Sequence, residues 1–168
     1  MAQGPRAARG RRRPLDRVWI VVADGGQARV LGVGGDRRGL TVLREMTSVE
    51  AHRRTQDLVS DRPGRSFESA STTRHAIDPR HDAHEEARQR FIAQLALMLN
   101  EDNRARQFDE LILILPPDLS TPLRDGLDDA TRARVRETLL KDLTKAPLHD
   151  ILERLVEAGL VPAPDPAT

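Results

Sequence analysis

Short apolar runs separated by polar, glycine-containing turns define the chain from residue 18 to residue 46. Residues 18–23 are mainly β-branched and end at an Asp-Gly-Gly sequence, which is typical of a buried strand that enters a tight turn. Residues 28–33 and 40–46 are two further apolar runs joined by a second glycine-rich turn. Because the connections are short, the pattern predicts an antiparallel meander of three strands.

A long helix is predicted to follow residue 78. Pro79 suits the first helical position, and acidic residues follow near the positive end of the helix dipole. Apolar side chains then recur at the spacing of one helical face. We therefore expect a helix over residues 79–101 that packs on the sheet through Phe91, Leu95 and Leu99.

The remainder of the chain contains one more strand-like run and two helical patterns. Residues 111–115 are continuously apolar, which indicates a central strand buried on both faces. Residues 119–130 and 148–158 have the apolar spacing of helices. Residues 134–145 are ambiguous, because their propensity favours a helix and propensity alone is a weak guide.

Three stretches lack hydrophobic periodicity. Residues 1–17 carry six arginines and one aspartate and are expected to form a disordered basic tail, and residues 161–168 a proline-rich tail. Residues 47–77 have little to bury, and a connection of that length in a compact domain is either functional or disordered. Residues 18–160 are predicted to form a single α/β domain with a mixed sheet flanked by helices.

Composition narrows the classes of function. The 168 residues suit one domain, and 38% apolar residues suffice for its core. The chain has no cysteine, which excludes disulfides, thiolate metal sites and cysteine nucleophiles. The net charge is +1, so the basic tail leaves a mildly acidic body. The sequence contains neither a membrane-length apolar run nor a convincing export signal, and we expect a cytoplasmic protein.

Candidate binding chemistry concentrates in residues 47–77. Arg62 and Arg65 flank a Pro-Gly turn at Gly64, and guanidinium groups bind phosphate or carboxylate in bidentate fashion. With His75 further along, these residues form a candidate site for an anion or RNA. Acidic residues in the same segment leave internal salt bridges as the simpler alternative.

The histidines around the start of the long helix are weaker candidates. His75, His81 and His84 alternate with acidic residues, but a helical turn of such residues does not by itself supply a metal geometry. His84 shares the apolar stripe of Phe91, which favours a partly buried, hydrogen-bonded histidine. The sequence has no Walker loop, dinucleotide fingerprint or nucleophile elbow. We predict no metal, no cofactor and no catalytic residue.

Six short motifs follow one another along most of the chain. They are WIVVADGGQAR at 19–29, SDRPGRSF at 60–67, PRHDAHE at 79–85, FDEL through PP at 108–117, LR at 123–124 and KDLT at 141–144. This ordered set resembles the bacterial host attachment proteins, which are described as required for attachment to host cells. Residues 118–122 depart from that family, which more usually has a Leu-Gly step there.

The host attachment family is in turn similar to the middle domain of archaeal and eukaryotic class 1 peptide release factors and of Pelota. That resemblance implies a release-factor middle-domain-like fold in which residues 134–145 supply a strand. It also implies a non-enzymatic binding module acting near ribosomes or structured RNA, with the ribosome or RNA as partner. The alternative is a catalytic release or rescue factor acting on peptidyl-tRNA.

The tripeptide Gly25-Gly26-Gln27 matches the one that release factors use to hydrolyse peptidyl-tRNA. In those proteins it stands at the tip of a long mobile loop, whereas here it joins two apolar runs. The spacing therefore predicts a hairpin turn with a structural role, in which a positive φ would require Gly25. In the resemblance, residues 47–77 take the place of the release-factor loop.

Overall fold

Five strands form one mixed sheet in the order β3-β2-β1-β4-β5. The computed structural model describes residues 17–34, 39–50 and 79–164. The strands are β1 (Val18–Ala23), β2 (Gln27–Val33), β3 (Leu40–Thr47), β4 (Glu110–Leu115) and β5 (Val135–Leu140). The β1–β2 and β2–β3 pairs are antiparallel, and the β1–β4 and β4–β5 pairs are parallel. The predicted meander, the apolar strand and the α/β class are confirmed.

Helices cover both faces of this sheet, which explains why β1 and β4 are apolar at almost every position. The helices are α1 (Pro79–Arg104), α2 (Pro117–Gly126), α3 (Asp129–Arg132) and α4 (Leu148–Glu157). The first core cluster joins Phe91, Leu95 and Leu99 of α1 with residues of α2, β1, β2 and β4. The second cluster packs α4 on the opposite face. The predicted packing of α1 through these three side chains is therefore confirmed.

The predicted helix over 119–130 is in fact two helices. α2 begins at Pro117, directly after the strand, and ends at Gly126, where a Cβ atom would lie 2.7 Å from the Cβ of Ala96. Asp128 then caps α3 by accepting a hydrogen bond from the Thr131 amide at 2.8 Å. The side chain of Asn100 holds this junction, because it donates to the Gly126 carbonyl and accepts from the Asp128 amide.

Residues 135–140 form a strand, as the family resemblance implied and against their helix propensity. β5 runs parallel to β4, with Leu113 opposite Thr138 and Leu115 opposite Leu140. As a strand, these residues pair with the backbone of β4. This tertiary pairing outweighs their preference for a helix. The final predicted helix is confirmed as α4, and Gly159 follows it with a φ of 69°.

Several sequence-based predictions fall outside the described residues. The predicted basic tail over residues 1–17 except Arg17, most of the segment 47–77, and residues 165–168 of the predicted proline-rich tail belong to this group. Within the described ranges, no helix is both long enough and apolar enough to cross a membrane.

Candidate functional site

The carboxyl ends of the three mutually parallel strands meet at one edge of the sheet. Residues 24–27 follow β1, the first turn of α2 follows β4, and residues 141–146 follow β5. We call these three segments the carboxyl edge. Open α/β sheets bind ligands outside the carboxyl ends of their strands, so this edge is the first place to look for a site.

Asp24 organises the turn between β1 and β2. Its Oδ1 accepts hydrogen bonds from the amides of Gly26 and Gln27, at 2.7 and 2.8 Å. Its backbone amide donates to the Gln27 carbonyl at 2.9 Å. The Gln27 side-chain amide donates to Asp24 Oδ2 at 3.3 Å. The backbone amide and the side chain of Gln27 therefore both form hydrogen bonds within the turn. The tripeptide Gly25-Gly26-Gln27 thus lies in a tight hairpin, as predicted.

The hydroxyl of Thr144 connects this turn to the segment after β5. Thr144 Oγ1 lies 3.0 Å from Asp24 Oδ2 and 2.6 Å from Asp142 Oδ1, and the residue is only 6% exposed. Because a hydroxyl carries one proton, it donates to one of these carboxylates at a time. Arg29 reinforces the link, since its Nη2 donates to the carbonyls of Leu143 and Ala146.

Arg88 joins the same turn to two helices. Its Nη2 lies 2.6 Å from Asp118 in the first turn of α2, and its Nη1 lies 3.3 Å from Glu85 on α1. The side chain also passes over Gly25, where a Cβ atom would lie 2.5 Å from Arg88 Nε. Gly25 has no left-handed φ. The requirement for glycine at this position therefore comes from the close approach of Arg88, and not from backbone conformation.

The described residues that precede the segment 51–78 also reach the carboxyl edge. Thr47, the last residue of β3, pairs with Gln27, and the Ser48 amide donates to the Gly26 carbonyl at 2.7 Å. Glu50 forms an ion pair with Arg90 of α1 at 3.0 Å. The chain therefore leaves the described part of the sheet beside the Asp24 turn.

The predicted anion-binding residues Arg62, Gly64, Arg65 and His75 all lie outside the described residues. His84 is partly buried, as expected, but its buried Nδ1 has no hydrogen-bond partner among the described residues, in contrast to the sequence-based expectation. The described ranges contain no group of three or more histidine or acidic side chains arranged to hold a metal.

Sequence reasoning did not identify the contacts that shape this edge. The Asp24–Thr144 pair spans 120 residues and the Arg88–Asp118 pair spans 30, so no local pattern reveals either. The one local signal was Asp142 two residues before Thr144, where the Asp142 carboxylate accepts from the Thr144 amide at 3.1 Å. That arrangement is an Asx turn, which the residue types and their spacing permit.

Comparison with known proteins adds the following findings. The family model described as "Protein required for attachment to host cells" matches residues 19–155. A solved structure titled an archaeal protein is 14% identical, with a TM-score of 0.46, over 86% of this chain and 34% of its own. The crystal structure of an archaeal translation termination factor is 13% identical, with a TM-score of 0.43, over 85% of this chain and 40% of its own.

The chain thus spans 34% and 40% of the length of these two structures. A search of the curated proteins finds no match to the sequence. The family model, in contrast, covers most of the chain, including every strand except Val18 of β1. On this match, the chain belongs to the family of proteins required for attachment to host cells.

Proposed function

We propose that this host attachment family protein is a non-enzymatic binding module of the bacterial cytoplasm that holds RNA phosphate at the carboxyl edge, near ribosomes or structured RNA. One observation carries the proposal. The Ser48 amide, just before the segment 51–78, is anchored to this edge by its hydrogen bond to the Gly26 carbonyl, and Glu50 pairs with Arg90 of α1, the helix that follows the segment. Ordering a segment costs conformational entropy, and this segment has few apolar residues whose burial would offset that cost. A bound ligand provides the missing stabilisation.

The described polar groups at this edge are suited to a supporting role. The Asp24 carboxylate accepts from two backbone amides, and Arg88 is already paired with two carboxylates. Besides the exposed Lys141 and Lys145 of this edge, we assign the cations for the ligand to Arg62 and Arg65, with Gly64 allowing close approach and His75 adding a donor. Guanidinium groups recognise phosphate through paired N–H bonds, which matches the chemistry of an RNA backbone.

The arrangement of Gln27 favours binding over catalysis. Release chemistry by a Gly-Gly-Gln triplet requires the triplet to project from the body of the protein. In this chain the Gln27 side chain and amide both bond to Asp24 within a tight hairpin. Gln27 therefore supports the turn, and a release or rescue activity is not part of the proposal.

The test is RNA binding by the full chain over a series of salt concentrations. The probe is a structured ribosomal RNA hairpin, and the variant is Arg62→Ala with Arg65→Ala. Each phosphate contact adds to the slope of log affinity against log salt, so this variant is expected to lose about two contacts from the slope. The matched control, Arg53→Ala with Arg54→Ala, removes the same charge from the same segment and is expected to lower the slope less.

Two further variants separate the competing explanations. Arg11→Ala with Arg12→Ala measures the contribution of the basic tail to the same slope. Gln27→Ala is expected to leave RNA binding unchanged, and a peptidyl-tRNA hydrolysis activity abolished by this variant would favour the catalytic alternative. If the full chain binds no RNA, or if replacing Arg62 and Arg65 leaves the slope unchanged, the RNA proposal is wrong.

A further inference from the structure

A groove runs between the outer edge of β5 and the side of α2. Ser120 and Arg124, one helical turn apart, form its helix wall, and Thr138 and Leu140 lie on its strand wall. The groove has a volume of about 280 Å³. Among the strands that the structure describes, β5 stands last in the sheet and pairs only with β4. Its other backbone edge, which lines the groove, therefore pairs with no described strand.

A backbone amide on the outer edge of β5 already donates a hydrogen bond to an oxygen atom. The Thr138 amide donates to Oε1 of the neighbouring Glu137 at 2.9 Å, in place of a strand partner. Glu137 is exposed, so its carboxylate holds this amide without being fixed by packing. A main-chain carbonyl from an added strand makes the same hydrogen bond, and its approach displaces only this side chain.

Arg124 is the cation of the groove that has no partner among the described residues, although the Glu137 carboxylate also lines the groove. The Arg124 side chain is exposed and forms no hydrogen bond or ion pair with the residues that the structure describes. Arg136, the other arginine in the lining, is held elsewhere, because its Nη1 lies 3.2 Å from the Leu160 carbonyl and 3.6 Å from Glu110. Leu140, at 52% exposed, adds an apolar contact surface beside Arg124.

We propose that this groove binds an extended segment of a partner protein, which adds to the sheet beside β5 and places an acidic side chain on Arg124 and an apolar one on Leu140. A strand edge bordered by a helix is the geometry of β-strand addition, in which backbone hydrogen bonds give affinity and side-chain contacts give specificity. The opposite edge is less suited, because Arg44 of β3 is already paired with Asp102 at 2.8 Å.

The experiment uses the full chain and eight-residue peptides of alternating valine and threonine, each with one glutamate at a different position. A second set carries glutamine in place of glutamate. Fluorescence anisotropy of labelled peptides measures affinity, and hydrogen exchange measures protection of the Thr138 and Leu140 amides. We expect one register of the glutamate set to bind and to protect both amides.

Two substitutions are expected to act in opposite directions. Arg124→Gln weakens the glutamate peptide by about three- to fivefold and leaves the glutamine peptide unaffected, since an exposed charge pair has that strength. Glu137→Ala strengthens binding by about two- to fivefold, because it removes a competing acceptor and a repelling charge. Arg154→Gln, which removes an arginine from α4 on the other face, is expected to leave the affinity unchanged.

Three results would overturn the proposal. The first is that no peptide binds. The second is that binding occurs without protection of the β5 amides, or with equal affinity for the wild type and Arg124→Gln. The third is dimerisation in sedimentation velocity that Leu140→Glu abolishes, because the edge would then serve a second copy of this chain.

Discussion

The two ends of the sheet use polar residues in different ways. At the amino ends of β1, β4 and β5, exposed ion pairs such as Arg17–Asp109 at 2.8 Å and Arg104–Asp128 at 3.3 Å lie beside a buried junction in which Asn100 and Thr131 hydrogen-bond to residues at the end of α2 and the start of α3. At the carboxyl edge, buried or half-buried groups bind backbone atoms and each other, as Thr144 and Asp24 do. Exposed pairs contribute little because water and salt screen them, whereas unsatisfied buried groups are costly. The carboxyl edge therefore differs in what its buried hydrogen bonds join, since the Thr144–Asp24 contact connects segments that are 120 residues apart in the chain.

Both ends depend on the same core, and removing part of it has the largest expected effect. Phe91 is 2% exposed and packs in the cluster between α1 and the sheet. Phe91→Ala is expected to lower the free energy of unfolding by about 3–5 kcal/mol through the cavity that it leaves. Urea denaturation followed by circular dichroism measures this loss.

Leu97→Ala is the matched control for this prediction. Leu97 lies on the same helix but is 56% exposed, so truncating it is expected to cost no more than about 0.5 kcal/mol. Equal losses for Phe91→Ala and Leu97→Ala would contradict the packing of α1 described above.

The second prediction strains the carboxyl edge through Gly25. A side chain at this position meets Arg88, with a Cβ atom 2.7 Å from its Cγ and 2.5 Å from its Nε. Gly25→Val is therefore expected to lower the free energy of unfolding by about 1–3 kcal/mol, because Arg88 must leave its place beside Glu85 and Asp118. The same denaturation assay measures the change.

Two comparisons make this prediction specific. Gly39 borders the turn before β3, and no atom of the described residues lies within 4 Å of a Cβ position there, so Gly39→Val is expected to have a much smaller effect. In an Arg88→Ala background, Gly25→Val should cost less than it does in the wild type. If the cost is unchanged, the strain arises elsewhere in the turn.

Some of these elements could be predicted from the sequence, and others could not. Phe91, Leu95 and Leu99 recur at helical spacing, and β4 is uniformly apolar, so periodicity alone identified both elements. β5 has neither pattern, because an edge strand is only partly covered and its Glu137 and Leu140 are exposed. Only the pairing with β4 selects a strand there, and pairing is a tertiary property.

In the candidate site, too, the local turn could be predicted from the sequence and the contacts between distant segments could not. The Asp-Gly-Gly sequence predicted the hairpin turn, because the residues that form it are adjacent. The contacts of Thr144 with Asp24 and of Arg88 with Asp118 join segments that only the fold brings together. The roles of Arg62 and Arg65 remain predictions, since both lie outside the described residues.

A third prediction removes the hydroxyl that links two segments of the carboxyl edge. Thr144→Val keeps the shape of the side chain but leaves Asp24 and Asp142 without their shared donor. The free energy of unfolding is expected to fall by about 1–2 kcal/mol, as for loss of a largely buried hydrogen bond. The control is Thr41→Val on the exposed edge strand β3, where we expect a change within about 0.5 kcal/mol. Similar losses in both variants would show that the Thr144 link adds nothing.

The smallest effect is expected near the amino ends of the strands, at the cap of α3. The hydrogen bonds from the Thr131 hydroxyl and amide, followed by the charge of Arg104, hold the pKa of Asp128 below its usual value of 3.8. A carboxyl group whose pKa is lower in the folded state stabilises the protein above its unfolded pKa, and that stabilisation disappears as the pH falls through the folded pKa.

Asp128→Asn keeps a capping side chain but cannot ionise. The wild type is therefore expected to be slightly more stable than Asp128→Asn near pH 7, with the difference vanishing as the pH falls from about 4 toward 2. Urea midpoints along this pH series measure the difference, and Asp125→Asn, which removes an exposed charge from α2, is the control. A difference that persists unchanged at the lowest pH, or that Asp125→Asn reproduces, would mean that the Asp128 charge does not act through the cap.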